Sequence, residues 1–285
     1  MKKRKILVLL LAAALLLVIA AGYYIFVRTS LPFRLERMLS ARKEQVSVTE
    51  AEPGTVPVTL EELKEMENVR FDDSLMLISP GHPLPGDYAP ELTDYRDTGV
   101  LMEKNTADAY GILSDAILSE SGTKLYVIAS YRTGEEQETV KESEGNTAAE
   151  VGESEHQAGL ALDLAVKGYG GRSFLKTKVG KNVNRDCWRY GFIIRYPFWG
   201  EEETGFTFEP WHVRYVGQPH AGIVMRNRMT LEAYLSSLAP GVWYSFDGYL
   251  ISRRSEENLE IPTSFFSLTV SADNCGYYVI TAKTE

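Results

Sequence analysis

Two short runs of the sequence carry side chains that can hold a metal ion. The run SEHQAGLALD contains His156 and Asp163 on either side of a glycine. The run EPWH, further along the chain, contains Glu209 and His212. Catalytic zinc takes three protein ligands and keeps a further position for water, whose pKa it lowers towards ~7. His156, Asp163 and His212 could be these ligands. Glu209 would then be free to accept a proton from that water.

The elements that must position these residues follow from the spacing of apolar side chains. Residues 160–166 alternate as in a strand, with leucines on one face and Asp163 between two alanines on the other. The alanines leave room beside Asp163 for a metal ion. A further strand is predicted over 206–216, and the proline inside it predicts a bend. Without that bend, Glu209 and His212 would face opposite sides of the sheet.

Short helices and strands are predicted on both sides of these runs. The strand over 124–130 ends just before Arg132, and strand ends are common places for functional sites. A helix or a loop is predicted over 134–144, an acidic loop over 200–205, and short alternating strands after residue 242. The other predicted elements are strands over 75–78 and 192–196 and helices over 106–120, 182–190 and 231–238.

Composition argues against several kinds of partner and site. A net charge of −9 argues against a nucleic-acid partner, because binding to phosphates needs a basic face. The only cysteines are Cys187 and Cys275, too few for a thiolate zinc site, although a disulfide between them remains open. His82 lies in a proline-rich loop, where we expect a structural or surface role. His220 remains a rival to His212 as a metal ligand.

The chain begins with a basic cluster followed by a long uncharged run. Residues 6–27 are 22 consecutive uncharged positions, enough to cross a bilayer as a helix. They predict an uncleaved single-pass anchor over 1–28 with its N-terminus in the cytoplasm, and the alternative is a cleaved secretory signal. The chain beyond would lie on the extracellular face, as a tether over 29–70, a zinc domain over 71–240 and a small β-rich appendage over 241–285.

The same runs resemble the motifs of a known family. SEHQAGLALD resembles the SxHxxGxAxD motif of the VanY-type D-alanyl-D-alanine carboxypeptidases, and EPWH followed by VRYVG resembles their ExWH motif. A YR pair followed by Gln137 resembles their substrate-side element, and YGFIIRYP is also typical. The likeness covers about residues 75–238. It departs from the family at an alanine two residues before the YR pair and at the Val-Gly before SEH, and neither departure touches a predicted ligand.

The resemblance implies a fold and a set of roles at the zinc site. The fold would be α+β, like that of hedgehog and D,D-peptidase domains, with a central antiparallel sheet and flanking helices. Zinc would be the cofactor, held by His156, Asp163 and His212. Glu209 would be the catalytic base.

The resemblance also implies a substrate and a reaction. Arg132 would bind the free carboxylate of a terminal D-Ala, helped by Ser154 and Gln137. The chain would remove that D-Ala from peptidoglycan pentapeptide stems, would be insensitive to penicillin and would contribute to vancomycin resistance. Two alternatives stay open. One is a D,D-dipeptidase or endopeptidase on the same scaffold, and the other is a non-catalytic wall-binding module.

Overall fold

The computed structural model of the chain describes residues 2–28 and 30–284. It divides the chain into two units, one up to residue 43 and the other from residue 44 onwards. Met1, Thr29 and Glu285 lie outside the described residues, and so do the outermost positions of the predicted segments that include them.

The described residues form helices and mainly antiparallel sheets, as in an α+β fold. The helices are α1 (Lys2–Arg28), α2 (Leu31–Glu44), α3 (Leu60–Lys64), α4 (Lys104–Ser121), α5 (Gly134–Glu144), α6 (Lys178–Asp186), α7 (Glu201–Thr204), α8 (His220–Asn227) and α9 (Leu231–Ser237). The strands are β1 (Thr49–Ala51), β2 (Thr55–Pro57), β3 (Val69–Asp72), β4 (Leu92–Asp94), β5 (Leu101–Glu103), β6 (Tyr126–Ala129), β7 (Ala161–Ala165), β8 (Phe192–Ile194), β9 (His212–Tyr215), β10 (Trp243–Phe246), β11 (Tyr249–Arg254), β12 (Glu260–Pro262), β13 (Ser267–Ala272) and β14 (Tyr278–Lys283).

The central sheet has four antiparallel strands in the order β6-β7-β9-β8. The alternation predicted for β7 is confirmed, because Leu162 and Leu164 are fully buried and Asp163 is partly exposed on the other face. Full burial of such a leucine contributes about 1.5–3 kcal/mol. The leucines therefore fix which face of β7 meets the core, and with it the face that presents Asp163.

Glycines end two helices near this sheet, as the sequence predicts. The Glu103 side chain caps α4 by accepting a hydrogen bond from Thr106 N at 2.8 Å, and Gly122 ends the helix with φ 66°. The helix predicted over 182–190 is α6 plus a 3-10 turn that ends at Gly191, whose φ is 84°. A Cβ at Gly191 would lie 2.8 Å from the Tyr215 ring, so the turn requires glycine there.

A second sheet combines strands from both ends of the chain. Its order is β1-β10-β11-β14-β13-β3, and β2 pairs with β12 beside it. Part of the predicted tether over 29–70 is therefore folded against the predicted appendage over 241–285, contrary to the expectation of two separate segments. The tether residues are polar overall and show little periodicity. Their strands form because Leu63 packs into one core with Trp243 and Ile280.

Three local predictions need correction. Residues 75–78 are buried but form no strand, because Leu77 N bonds to Asp273 O at 3.1 Å outside any ladder. The strand predicted over 206–216 is reduced to β9, with a turn before it where the proline was expected to cause a bend. The acidic loop over 200–205 contains the short helix α7.

The predicted membrane anchor is also wrong. In residues 2–28 and 30–284, no helix combines the length and the apolar character that crossing a bilayer requires. The prediction over 1–28 rested on a basic cluster and on the 22 uncharged positions that follow it. The predicted single-pass location and the predicted membrane partner are therefore not supported either.

Candidate functional site

The predicted metal ligands converge where β7 meets β9. Asp163 in β7 and His212 in β9 are register partners. His156 lies in the 3-10 turn that precedes β7. Asp163 Oδ1 is 3.1 Å from His212 Nδ1 and 3.6 Å from His156 Nε2. One ligand atom from each of the three residues lies within 4.8 Å of the others, so together they could hold a metal ion.

The chemistry of this trio fits a cation. All three side chains are largely buried, yet Asp163 Oδ1 has no hydrogen-bond partner among the described residues. A buried carboxylate oxygen without a partner is costly unless a cation completes it. Two imidazole nitrogens and one carboxylate oxygen are the donor set of many catalytic zinc sites. The residues present therefore suit zinc.

Contacts inside the protein orient His156 and set the charge of its neighbours. His156 Nδ1 lies 2.8 Å from Ser130 O, so this nitrogen carries the proton and leaves Nε2 for a metal ion. Burial alone would raise the pKa of Asp163, but the two histidines outweigh it and hold that pKa well below its usual range. Burial favours neutral His212, yet its contacts with Asp163 and Glu155 raise its pKa to about 9.

Glu209 lies beside the trio without belonging to it. Its Oε2 is 3.8 Å from His212 Nδ1, and its backbone N–H bonds to Tyr196 O at 3.0 Å. The loop is held further by Asn184, whose Nδ2 donates to Pro210 O at 2.6 Å. Burial raises the pKa of Glu209 to about 7, although the neighbouring His212 pulls it down. A carboxyl group with that pKa can both accept and return a proton near neutral pH.

Arg132 lies next to another member of the trio, Asp163. Its Nη2 is 3.8 Å from Asp163 Oδ2, and its backbone N–H bonds to His156 O at 3.1 Å. Its Nη1 donates to Gln137 Oε1 at 3.2 Å, and Gln137 Nε2 donates to Ala149 O at 2.9 Å. Gln137 is thus engaged at both polar ends within the protein. The guanidinium is about one-fifth exposed and can meet a ligand.

A cavity of about 270 Å³ joins these groups. A second cavity of about 540 Å³ continues beyond Arg132 along β6. The wall also contains Glu144 and three aromatic side chains that were given no role from the sequence, Tyr196, Phe206 and Trp211. All seven site residues predicted from the sequence line the smaller cavity, namely Arg132, Gln137, Ser154, His156, Asp163, Glu209 and His212.

Other candidates from the sequence lie elsewhere. His220 is buried, with Nδ1 2.6 Å from the Tyr234 hydroxyl and Nε2 2.9 Å from Thr281 Oγ1, so both nitrogens are used structurally. His212 is therefore the histidine that reaches the site. Cys187 and Cys275 are not joined to each other, so the disulfide left open by the sequence does not form.

The sequence resembles the VanY family and several individual proteins. The sequence profile of the family, described as VanY: D-alanyl-D-alanine carboxypeptidase, matches residues 99–218. A putative carboxypeptidase, YodJ of Bacillus subtilis (strain 168), is 34% identical over 200 residues, which are 63% of this chain and 71% of the relative. The bifunctional D-Ala-D-Ala dipeptidase and carboxypeptidase VanXYC of Enterococcus gallinarum is 33% identical over 60% of this chain and 97% of its own.

Solved structures agree with this likeness. The vancomycin-resistance D,D-dipeptidase VanXYg, solved with a D-Ala-D-Ala phosphinate analogue, is 26% identical, with a TM-score of 0.67 over 81% of this chain and 99% of its own. A mutant of the vancomycin-resistance D,D-pentapeptidase VanY with Zn(II), and VanYB with D-alanine-D-alanine, are each 30% identical. Both give a TM-score of 0.51 over 57% of this chain and 98% of their own. The chain therefore belongs to the VanY family of D-alanyl-D-alanine carboxypeptidases and is an enzyme.

Proposed function

We propose that the chain is a zinc-dependent D-alanyl-D-alanine carboxypeptidase that removes the terminal D-Ala from peptidoglycan pentapeptide stems. The observation that carries this proposal is the convergence of His156, Asp163 and His212 between two further groups. Glu209 lies beside His212, and the Arg132 guanidinium lies beside Asp163. A peptide end has the matching chemistry, with a scissile carbonyl next to a free carboxylate.

The metal would be held by His156 Nε2, Asp163 Oδ1 and His212 Nδ1. Bound zinc supplies a Lewis acid that polarises the scissile carbonyl and eases deprotonation of water. The unpartnered Asp163 oxygen supports this assignment, and so does the Zn(II) in the related VanY structure. We assign the reaction to residues 71–240.

Glu209 would act as the general base. Its carboxylate would accept a proton from the attacking water and then pass it to the amine of the departing D-Ala. The pKa of about 7 suits both steps, although a cation at the trio would lower it. Its side chain is about one-fifth exposed, so the carboxylate can reach a water molecule in the cavity.

Arg132 would recognise the chain end. A guanidinium can bind a carboxylate through two parallel hydrogen bonds, so it measures the distance from the end of the peptide to the metal. We propose that Gln137 positions this guanidinium, since it accepts a hydrogen bond from Arg132 Nη1. Ser154, in the same cavity wall, would contact the peptide.

The same assignment implies how the enzyme responds to antibiotics. Since no serine would form an acyl intermediate, penicillin should not inhibit turnover. Loss of the terminal D-Ala removes the end that vancomycin binds, so the chain would contribute to glycopeptide resistance. Two related solved proteins described as vancomycin-resistance enzymes support this role.

The decisive experiment is mass spectrometry of a pentapeptide stem incubated with the protein. We expect loss of one alanine, abolished by a chelator, restored by zinc and unchanged by penicillin. Products without dependence on zinc would contradict the metal assignment. Products that vanish with penicillin would contradict the proposed mechanism.

A D,D-dipeptidase is the second candidate. It is favoured by the likeness to VanXYg, which is described as a D,D-dipeptidase, and to the bifunctional VanXYC. Free D-Ala-D-Ala separates the two candidates. A dipeptidase would split it at a rate comparable with that for the pentapeptide, and a carboxypeptidase would prefer the pentapeptide.

A further inference from the structure

A buried carboxylate lies directly behind the candidate metal site. Glu155 precedes His156 in the chain, and its side chain is fully buried. Its Oε1 accepts hydrogen bonds from Arg195 Nε at 2.6 Å and from Arg214 Nη1 at 2.7 Å. Both arginines are also buried. Because Glu155, Arg195 and Arg214 are charged and lie away from water, each of their polar atoms requires a partner.

The two arginines are themselves held in place, which fixes the carboxylate plane. Arg195 binds both oxygens of Glu232, at 2.9 and 2.6 Å. Arg214 Nη2 donates to the backbone oxygens of Ser74 and Met76 at 3.1 and 2.9 Å. Neither guanidinium can turn without breaking several hydrogen bonds. The Glu155 oxygen that they do not use therefore points in a fixed direction.

That second oxygen faces His212. Glu155 Oε2 lies 3.5 Å from His212 Nε2, and neither atom has a hydrogen-bond partner within residues 2–28 and 30–284. The other ring nitrogen, Nδ1, points to Asp163. One side of the imidazole thus faces a carboxylate, and the other side faces the candidate metal site.

We propose that Glu155 is a positioning residue for His212, an inference that rests on the zinc function proposed above. Its free oxygen accepts the Nε2–H, which leaves the Nδ1 lone pair for the metal ion. A carboxylate behind a metal-binding histidine fixes the proton position and the ring orientation, and its loss typically weakens metal binding about 10–100-fold. Arg195 and Arg214 act one step further back, by holding the carboxylate.

A purely structural role is the competing explanation, because Glu155 also balances two buried positive charges. Glu232 provides a matched comparison. It binds Arg195 as Glu155 does, and the substitution Glu232→Gln removes the same charge from the same cluster. Its carboxylate bonds to Arg195, and among residues 2–28 and 30–284 no hydrogen bond or ion pair joins it to His212. The two substitutions thus separate positioning of the imidazole from neutralisation of the arginines.

The substitution Glu155→Gln tests the proposal with little change of shape. The arginines need an acceptor, so the new amide should offer them its oxygen and turn its NH₂ towards His212. An NH₂ facing Nε2 favours the imidazole that carries its proton on Nδ1, which is the wrong form for a ligand through Nδ1. We expect zinc affinity, measured by chelator competition, to fall about 10–100-fold. Glu232→Gln should stay within about threefold of the wild type.

The wild-type protein is measured first, so that the two proposals fail separately. Absence of zinc binding by the wild type would contradict the proposed function. Zinc binding with equal affinity in the wild type and Glu155→Gln, or an equal loss in both variants, would overturn the positioning role.

Imidazole ¹⁵N NMR of the zinc-loaded wild type provides a test that does not depend on a variant folding. We expect His212 to bind zinc through Nδ1 and to keep an exchange-protected Nε2–H. Binding through Nε2, or an Nε2–H that exchanges freely, would overturn the proposal.

Discussion

Asp163 and His212 are register partners on neighbouring strands, with Asp163 Oδ1 3.1 Å from His212 Nδ1. Two candidate metal ligands are thus joined through the backbone ladder of the central sheet. His156 is tied to the same sheet through the backbone of the strand-end residue Arg132. The geometry of the site therefore depends on the pairing of the strands in the central sheet.

Replacing Glu209 by alanine should separate metal binding from turnover. Glu209 lies outside the metal-binding trio, so Glu209→Ala should keep one zinc ion per chain. General acid–base catalysis typically contributes about 10²–10⁴-fold, and kcat should fall by that factor. Zinc content and kcat are measured together. The exposed Glu202→Ala is the control, and near-wild-type turnover in Glu209→Ala would refute the assigned base.

Replacing Arg132 by alanine should mainly impair binding of the substrate's free end. A hydrogen bond to a charged group contributes about 1.5–3 kcal/mol, which corresponds to a rise in KM of roughly 10–150-fold. A pentapeptide with an amidated C-terminus provides the matched substrate. The wild type should lose activity on the amide, whereas Arg132→Ala should discriminate little between acid and amide. Equal discrimination by both proteins would exclude a carboxylate contact.

The glycine of the SEHQAGLALD run should resist substitution for two reasons that can be separated. Gly159 has φ 68°, and a Cβ there would lie 2.7 Å from Glu103 N. Gly168 has φ 81° with no atom within 4 Å of its Cβ position, so Gly168→Ala introduces backbone strain alone. Gly159→Ala should lower the free energy of unfolding by at least about 1 kcal/mol more, measured with urea. Equal losses would show that the close contact is unimportant.

The buried His220 should make stability depend on pH below neutrality. Burial lowers the pKa of His220 from 6.5 to about 3. Between these values the unfolded chain binds a proton that the folded protein does not, so the free energy of unfolding falls as pH falls. The expected slope from this residue is about 1.4 kcal/mol per pH unit.

Urea unfolding between pH 8 and pH 4 checks this slope. His220→Gln should be less stable at pH 8, where the contacts with Tyr234 and Thr281 are lost, but should lose less stability on acidification than the wild type. His82→Gln, in a loop elsewhere, is the control. Parallel pH profiles for the wild type and His220→Gln would contradict the prediction.

The sequence singled out the seven residues that the fold brings together because their signals are local. Leucine alternation fixed the face of β7 that carries Asp163, and a proline marked the turn between Glu209 and His212. Glu155 was missed, although it is the residue just before His156. Its partners Arg195 and Arg214 lie far along the chain, and only the folded sheet brings them together. A buried ion pair leaves no periodic pattern.

The order of the strands in the second sheet was another feature that could not be predicted from the sequence. The β-rich character of the last residues was predicted correctly, but their partners in β1 and β3 come from a polar segment without clear alternation. Pairing between such distant strands depends on packing against side chains such as Leu63 and Trp243. The membrane anchor was another prediction that failed, since no helix within residues 2–28 and 30–284 is long and apolar enough to span a bilayer.

The parallel pairing of β3 with β13 affects the order in which the chain can fold during its synthesis. Val69 pairs with Leu268, and the entire candidate zinc site lies between them in the sequence. A ribosome would release β3 long before its partner strand exists. The segment that contains the candidate zinc site can fold while β3 is still unpaired. We therefore expect the pairing of β3 with β13 to be the last and slowest step of folding. If the chain were released before β13 is made, the unpaired edge of β3 could pair with another nascent copy of the chain.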